Sequence, residues 1–301
     1  MKRLGLLALV CALSGAVLVG LAPADRAMAA DPFGTRIDWN KPHKPFHVIG
    51  NIYYVGTAGV SAFLIRTPAG AILTDGGLPE SAPLIEQNIR ALGVPLSDIK
   101  ILLNSHAHFD HAGGLADLKR DTGAKFYASA ADKPFLEKGR ITFGPSISDP
   151  FPPVKVDHVV KDGETVSLGG ATLTAHITPG HTPGCTSWTM PVTTAGHTYQ
   201  VMFFCSISVA GNPLTGTPAY PNIAQDYRNS FAKLANMHVD VFLAPHGAQF
   251  GMDAKLARMT PKGLNPFFDP DEFPRYLAAA RKDYDAQLAK QFAAKGGYVH
   301  P

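Results

Sequence analysis

The stretch Ile101-Leu-Leu-Asn-Ser-His-Ala-His-Phe-Asp-His111 decides how this 301-residue chain reads. Its apolar start, residues 101–103, has the character of a buried strand. The strand runs into His106, His108, Asp110 and His111. Four such groups crowded together are costly to bury without a cation. Imidazole and carboxylate donors in that mixture suit zinc. Residues two apart on extended backbone face the same side, so His106 and His108 can reach one ion. Asp110 and His111 follow where the strand must turn into a helix, and can point to a neighbouring ion. Ligands just past the carboxyl end of a strand are what an α/β architecture allows, because loops converge there.

Two further histidines have similar settings. His181 lies in Thr178-Pro-Gly-His-Thr-Pro-Gly184, and His246 lies in Leu243-Ala-Pro-His-Gly247. The flanking Gly and Pro residues let the backbone turn sharply beside each ring. Five histidines and one aspartate are enough for two metals, with three protein ligands each and room for water. His158, His176, His197 and His238 have no such partners nearby and read as packed core residues. His43, His47 and His300 read as solvated.

Outward from this stretch, short β-rich runs occupy 52–55, 61–65 and 71–74. A helix follows over 81–92, with Leu84, Ile85, Ile89 and Leu92 on one side and a stop at Gly93. A second helix over 114–122 and a strand over 125–128 come after the central strand. The later half predicts strands at 154–160, 164–167, 171–177, 186–190 and 199–205. It closes with a helix over 224–236, a strand over 241–243 and a long helix over 271–294. The order fits an α/β fold with two packed sheets between helix layers. Residues 31–45 read as an extended arm. Residues 141–153 and 208–221 read as long loops, a length that often marks function.

Residues 1–30 carry the order of an export signal: Lys2 and Arg3, an apolar run, then Ala27-Met-Ala-Ala30. An uncleaved anchor is the alternative, because the run is close to the ~18 residues that raise that question. Cleavage leaves one domain, residues 31–301, in the periplasm. It also removes three basic residues (Lys2, Arg3, Arg26) and one acidic (Asp25), so the formal charge of +3 becomes +1. A near-neutral chain gives no support for nucleic-acid binding. No other apolar run is long enough to span a membrane. Cys11 goes with the signal. Cys185 and Cys205 remain, and an oxidising compartment permits a disulfide between them. Two buried, inert thiols are the other reading.

His106-Ala-His108-Phe-Asp110-His111 resembles the His-x-His-x-Asp-His signature of the metallo-β-lactamase superfamily. The resemblance runs from Asn51-Ile-Tyr-Tyr-Val55 to the final helix. It implies a four-layer αββα sandwich with two zinc ions per chain. His106, His108 and His181 would form a three-histidine site; Asp110, His111 and His246 would form the second. Asp75 would stand behind the ligands and fix imidazole orientation. The run from Gly180 through Trp188, with Ser206-Ile-Ser208, resembles subclass B3. The segments Tyr220-Pro-Asn and Asp226-Tyr-Arg agree. The thioesterase branch expects a metal-bridging aspartate where residues 203–208 offer no Asp or Glu.

The resemblance implies hydrolysis of the β-lactam amide of penicillins, cephalosporins and carbapenems, an antibiotic-resistance activity, by a monomer. Asp110 would hold the second metal and orient the nucleophile, while Ser206 and Ser208 would bind the substrate carboxylate. A lactonase or thioesterase on the same scaffold, and a non-catalytic zinc-storage protein, are the competing readings. Another lactamase subclass places a cysteine ligand on the corresponding strand. Here Ser206 aligns with that position, which turns Cys205 towards Cys185 or the core; Cys205 as a ligand stays the alternative. Ser97 and Lys100 make a Ser-x-x-Lys match in the lead-in to a strand, so no serine acyl-enzyme is needed.

Overall fold

The structure is a computed structural model that describes residues 35–260 and 263–294. The expected signal over 1–30, residues 31–34 of the arm and His300 lie outside the described residues. The first sheet has seven strands in sequential order: β1 (Phe46–Ile49), β2 (Ile52–Tyr54), β3 (Phe63–Thr67), β4 (Gly70–Thr74), β5 (Ile99–Leu103), β6 (Lys125–Ser129) and β7 (His158–Val160). Pairing is antiparallel from β1 to β4 and parallel from β4 to β7. The second sheet contains β8 (Thr165–Leu168), β9 (Ala171–Ile177), β10 (Thr186–Thr194), β11 (His197–Phe203) and β12 (Val241–Leu243), in the order β12-β11-β10-β9-β8.

Alternation along the strands builds the layers. Phe63 and Ile65 of β3, with Ile101 and Leu103 of β5, face the second sheet and its Leu173, Trp188, Met190 and Val201. Leu64 and Leu102, one residue out of step, face the other way. There they meet Ile85 and Ile89 of α2 (Ala82–Ala91) and Leu115 and Leu118 of α4 (Leu115–Thr122). Beyond the second sheet, Phe242 of β12 packs on Phe273 and Tyr276 of α8 (Glu272–Ala293). Tyr227 and Phe231 of α6 (Ile223–Leu234) pack on Tyr284 of α8. The outcome is helix, sheet, sheet, helix.

Several elements differ from the sequence expectation. The arm is not extended throughout: α1 (Arg36–Trp39) forms over a capping box between Thr35 and Asp38. The strand expected over 154–160 begins at His158, because Val154 and Val156 are buried side chains on irregular backbone. Residues 141–153 are anchored by buried Ile141, Phe143 and Phe151 and contain a 3₁₀ turn, Pro145–Ser148. Strand β1 and the short helices α5 (Lys133–Lys138) and α7 (Met252–Arg258) had no clear periodicity to show them. The helix expected after His108 is α3 (Phe109–Ala112). Among the described residues no helix is long and apolar enough to cross a membrane.

The topology gathers one edge. Strands β4, β5 and β6 run parallel, so residues following Thr74, Leu103 and Ser129 emerge together. Strands β9 and β11 are both antiparallel to β10, and β12 is parallel to β11. Their carboxyl ends therefore also lie together. The two edges are joined across the sandwich: Thr186 N donates to Ser105 O at 2.8 Å, and Ser61 N donates to Pro245 O at 2.8 Å.

Cys185 and Cys205 form a disulfide at this edge, with Cα atoms 5.8 Å apart and a sequence separation of 20. Closing a loop of that length in the unfolded chain stabilises the fold by about 3 kcal/mol. Replacing both cysteines with Ala should lower the denaturant midpoint by a matching amount. An unchanged midpoint for reduced wild-type protein would contradict it.

Candidate metal centre

The six expected ligands converge as two triplets. In His106, His108 and His181, and again in Asp110, His111 and His246, one donor atom per residue lies within 4.8 Å of the others. The chain supplies them from three loops: after β5, after β9 and after β12. Asp110 and His111 sit in α3, so one helical turn redirects them from the His106–His108 side of the site.

One hydrogen bond fixes which nitrogen the His181 ring presents. His181 Nδ1 donates to Ser208 O at 2.8 Å, which leaves Nε2 with a lone pair. The same carbonyl accepts Tyr227 Oη at 2.7 Å. His106 Nδ1 contacts Ser105 Oγ at 3.0 Å, while its Nε2 is buried with no hydrogen-bond partner. His108 Nδ1 lies 2.9 Å from His181 Nε2. Burial, then the neighbouring imidazoles, hold His106 and His108 well below the usual histidine range. Burial pushes His181 down to about 4, against its bond to Ser208. Three buried imidazoles, held neutral and with their nitrogens brought together, are the donor set a cation requires.

The second triplet is built around an anion. Asp110 Oδ2 lies 3.3 Å from His111 Nε2 and 3.3 Å from His246 Nε2. Burial opposes ionisation of Asp110, yet the His111 and His246 imidazoles hold it well below the carboxylate range. Burial also opposes a charge on His111, and Asp110 overrides it and raises that ring. Both triplets fit a metal by donor chemistry, and the unpartnered His106 Nε2 is the sharpest sign. A buried polar atom without a partner carries a cost of ~1–3 kcal/mol that a bound cation removes.

Behind the ligands, Asp75 Oδ1 accepts from Ser105 N at 2.7 Å and Asn104 Nδ2 at 3.0 Å. Asp75 adopts φ +56°, a left-handed conformation held by this wiring. Burial raises its pKa, against the nearby His111 and these bonds. Ser206 is buried, and its Oγ lies 3.3 Å from Ser208 Oγ. Ser208 is half-buried, with Oγ 3.3 Å from His181 Nδ1. The disulfide removes Cys205 from the set of thiolate ligands.

Sequence reasoning missed two contributors. Trp39 of α1 packs edge-on against His246, ring centroids 5.1 Å apart. Arg36, paired with Glu80, lies over the Phe109 ring at 5.3 Å. The arm thus forms a wall of the centre, and the Thr35/Asp38 capping box was the signal available for it. Asp132 is the second: it is 1 % exposed and hydrogen-bonded to two of the three ligand loops, those of His106–His108 and His181. The histidines set aside as core residues are not core. His158 pairs with Glu164, His238 pairs with Asp240, His197 is exposed and His176 is half-buried against Thr189. None of them joins the centre. His43, expected in solvent, packs on Phe46 and Tyr54.

Comparison with known proteins agrees with this geometry. The family model for the metallo-beta-lactamase superfamily matches residues 55–246. Among solved structures, BJP-1, a subclass B3 metallo-beta-lactamase of Bradyrhizobium japonicum, is 48% identical, with a TM-score of 0.82 over 85% of this chain and 98% of that one. Native FEZ-1 metallo-beta-lactamase from Legionella gormanii is 41% identical, with a TM-score of 0.81 over 84% and 98%. A metallo-beta-lactamase of Cronobacter sakazakii is 42% identical, with a TM-score of 0.82 over 86% and 99%. That protein is described by a HARLDQ motif, where this chain reads His106-Ala-His-Phe-Asp-His111. Curated relatives are more distant: a hydroxyacylglutathione hydrolase of Jannaschia sp. is 30% identical over 158 residues. The match covers 52% of this chain and 52% of that protein, so the chain spans about half the length of that relative.

Proposed function

This chain belongs to the metallo-β-lactamase superfamily, and from that membership we propose that it hydrolyses the β-lactam amide bond of penicillins, cephalosporins and carbapenems with two zinc ions. The observation that carries the reading is the pair of buried triplets, joined to 48% identity with a subclass B3 enzyme over nearly all of that enzyme's length. His106, His108 and His181 would hold one zinc; Asp110, His111 and His246 would hold the other. Zinc, when bound, supplies Lewis acidity for an amide carbonyl and brings the pKa of water near neutrality, which amide hydrolysis at neutral pH needs.

The chain's own residues have separate tasks. Asp110 is a buried anion kept ionised by two imidazoles, so it can accept a hydrogen bond from the attacking water and orient it. Ser208, half-buried in the loop that follows β11, offers a hydroxyl for a substrate carboxylate, and Ser206 lies within hydrogen-bond reach of it. Trp39 shields His246 from solvent on the arm side. The proposal extends to export: residues 1–30 direct the chain to the periplasm, where it acts as a monomer and confers resistance.

A four-substrate comparison tests the reading. Initial rates with a penicillin, a carbapenem, a lactone and a thioester should favour the two lactams by at least ~10²-fold in kcat/KM, the separation enzymes reach even between near-isosteric substrates. A dominant thioester rate would move the chain to the hydroxyacylglutathione branch. Zinc uptake without turnover of any of the four would leave a binding protein.

A further inference from the structure

Asp132 follows β6 and stands at the N-cap of α5. An aspartate there ordinarily accepts from the first amides of its helix. This one makes no side-chain cap bond. Its carboxylate turns instead towards the two stretches that carry the three-histidine triplet. Oδ2 accepts from Ala107 N at 2.9 Å and from Thr182 Oγ1 at 2.8 Å, and Oδ1 accepts from Gly184 N at 2.8 Å. Ala107 lies between His106 and His108, and Thr182 follows His181. The first stretch leaves the seven-stranded sheet and the second leaves the five-stranded sheet. Contact is close: a Cβ on Gly184 would lie 2.1 Å from Ser129 Oγ and 2.6 Å from Asp132 Cγ. A glycine at 184 is what lets the loop reach the carboxylate.

We propose that Asp132 is a positioning residue for the three-histidine site, a single buried carboxylate that clamps the His106–His108 and His181 loops at the spacing one metal ion requires. It touches no ligand nitrogen and acts through the backbone and the Thr182 hydroxyl. The helix forgoes a cap so that the clamp can form. The same geometry makes the effect local, because Asp110, His111 and His246 receive no bond from it. The inference rests on reading the three histidines as metal ligands.

Zinc titration of the full-length protein against a chromophoric chelator tests it. Wild type should show two binding steps, one of which His108→Ala abolishes. Asp132→Asn should weaken that same step ~10–100-fold, the range seen when groups supporting a ligand are replaced, and leave the other within about threefold. Cobalt(II) in place of zinc should lose the absorption of that site in parallel. Thr182→Val, which removes one bond of three and keeps the fold, should weaken the same step by a smaller factor. Asp157→Asn is the structural control: it accepts from Phe126 N at 2.8 Å and pairs with Lys119. It should lower the melting temperature with both steps unchanged.

An Asp132→Asn protein that binds as wild type does, or loses both steps alike, overturns the inference. If that variant does not fold, an unchanged Thr182→Val decides against it equally. A wild type that takes up no zinc overturns the ligand reading, and the inference with it.

Discussion

Stripping the protein with a strong chelator should reduce penicillin or carbapenem hydrolysis by at least ~10³-fold, and added zinc should restore it. The size follows from what the remaining groups can do. Serine chemistry needs an exposed hydroxyl beside a base. Ser206 is buried, and Ser208 contacts the Nδ1 of His181, whose proton is already committed to the Ser208 carbonyl. The Ser97–Lys100 match offers nothing: Lys100 Nζ donates to the Ser97 carbonyl at 2.6 Å, at the end of β5 opposite the histidines. That leaves water as the nucleophile, and it is weak unless activated. The stripped protein should also melt earlier, because the buried His106 Nε2, which makes no hydrogen bond, then loses the cation that would partner it. Full activity at background metal content would remove the basis of the proposed function.

The site was more legible in the sequence than the fold that carries it. His106, His108, Asp110 and His111 announce themselves because four residues of ligand type stand within six positions, and little else crowds them so. His181 and His246 were legible through the Gly and Pro beside them. Strand β9 and helix α2 were visible because burial imposes a period on apolar residues, and β12 as a short continuous apolar run. The elements that escaped are those whose reason is tertiary. Helix α1 is too short to show a period and holds its place through Arg36–Glu80 and the packing of Trp39 on His246. Asp132 looks like an ordinary N-cap before Lys133-Pro134; only the fold shows that its carboxylate serves loops 25 and 50 residues away. His158 and His238 misled for the converse reason. They sit beside apolar runs, but His158 is the exposed first residue of β7 and His238 lies on exposed irregular backbone ahead of β12, where they pair with Glu164 and Asp240.

Asp110→Asn should abolish the second metal site while sparing the first. Asp110 is the only anion among the six converging side chains, and its Oδ2 sits between two imidazole nitrogens at 3.3 Å each. Asparagine keeps the shape and removes the charge. A dication at His111 and His246 would then have two neutral rings and no counter-charge in a buried setting, where an uncompensated charge is most costly. Zinc content should fall from two ions per chain to one, and kcat by ~10²–10⁴-fold, the range for loss of a group that positions or deprotonates the nucleophile. The three-histidine step should stay within about threefold, because His106 and His181 take their orientation from Ser105 and the Ser208 carbonyl rather than from Asp110. His246→Ala should lose the same zinc and keep the carboxylate, so the difference in kcat between the two variants isolates what Asp110 does beyond holding the ion. Equal kcat in both would reduce Asp110 to a ligand, and two zinc ions retained by Asp110→Asn would show that the anion does not hold the second site.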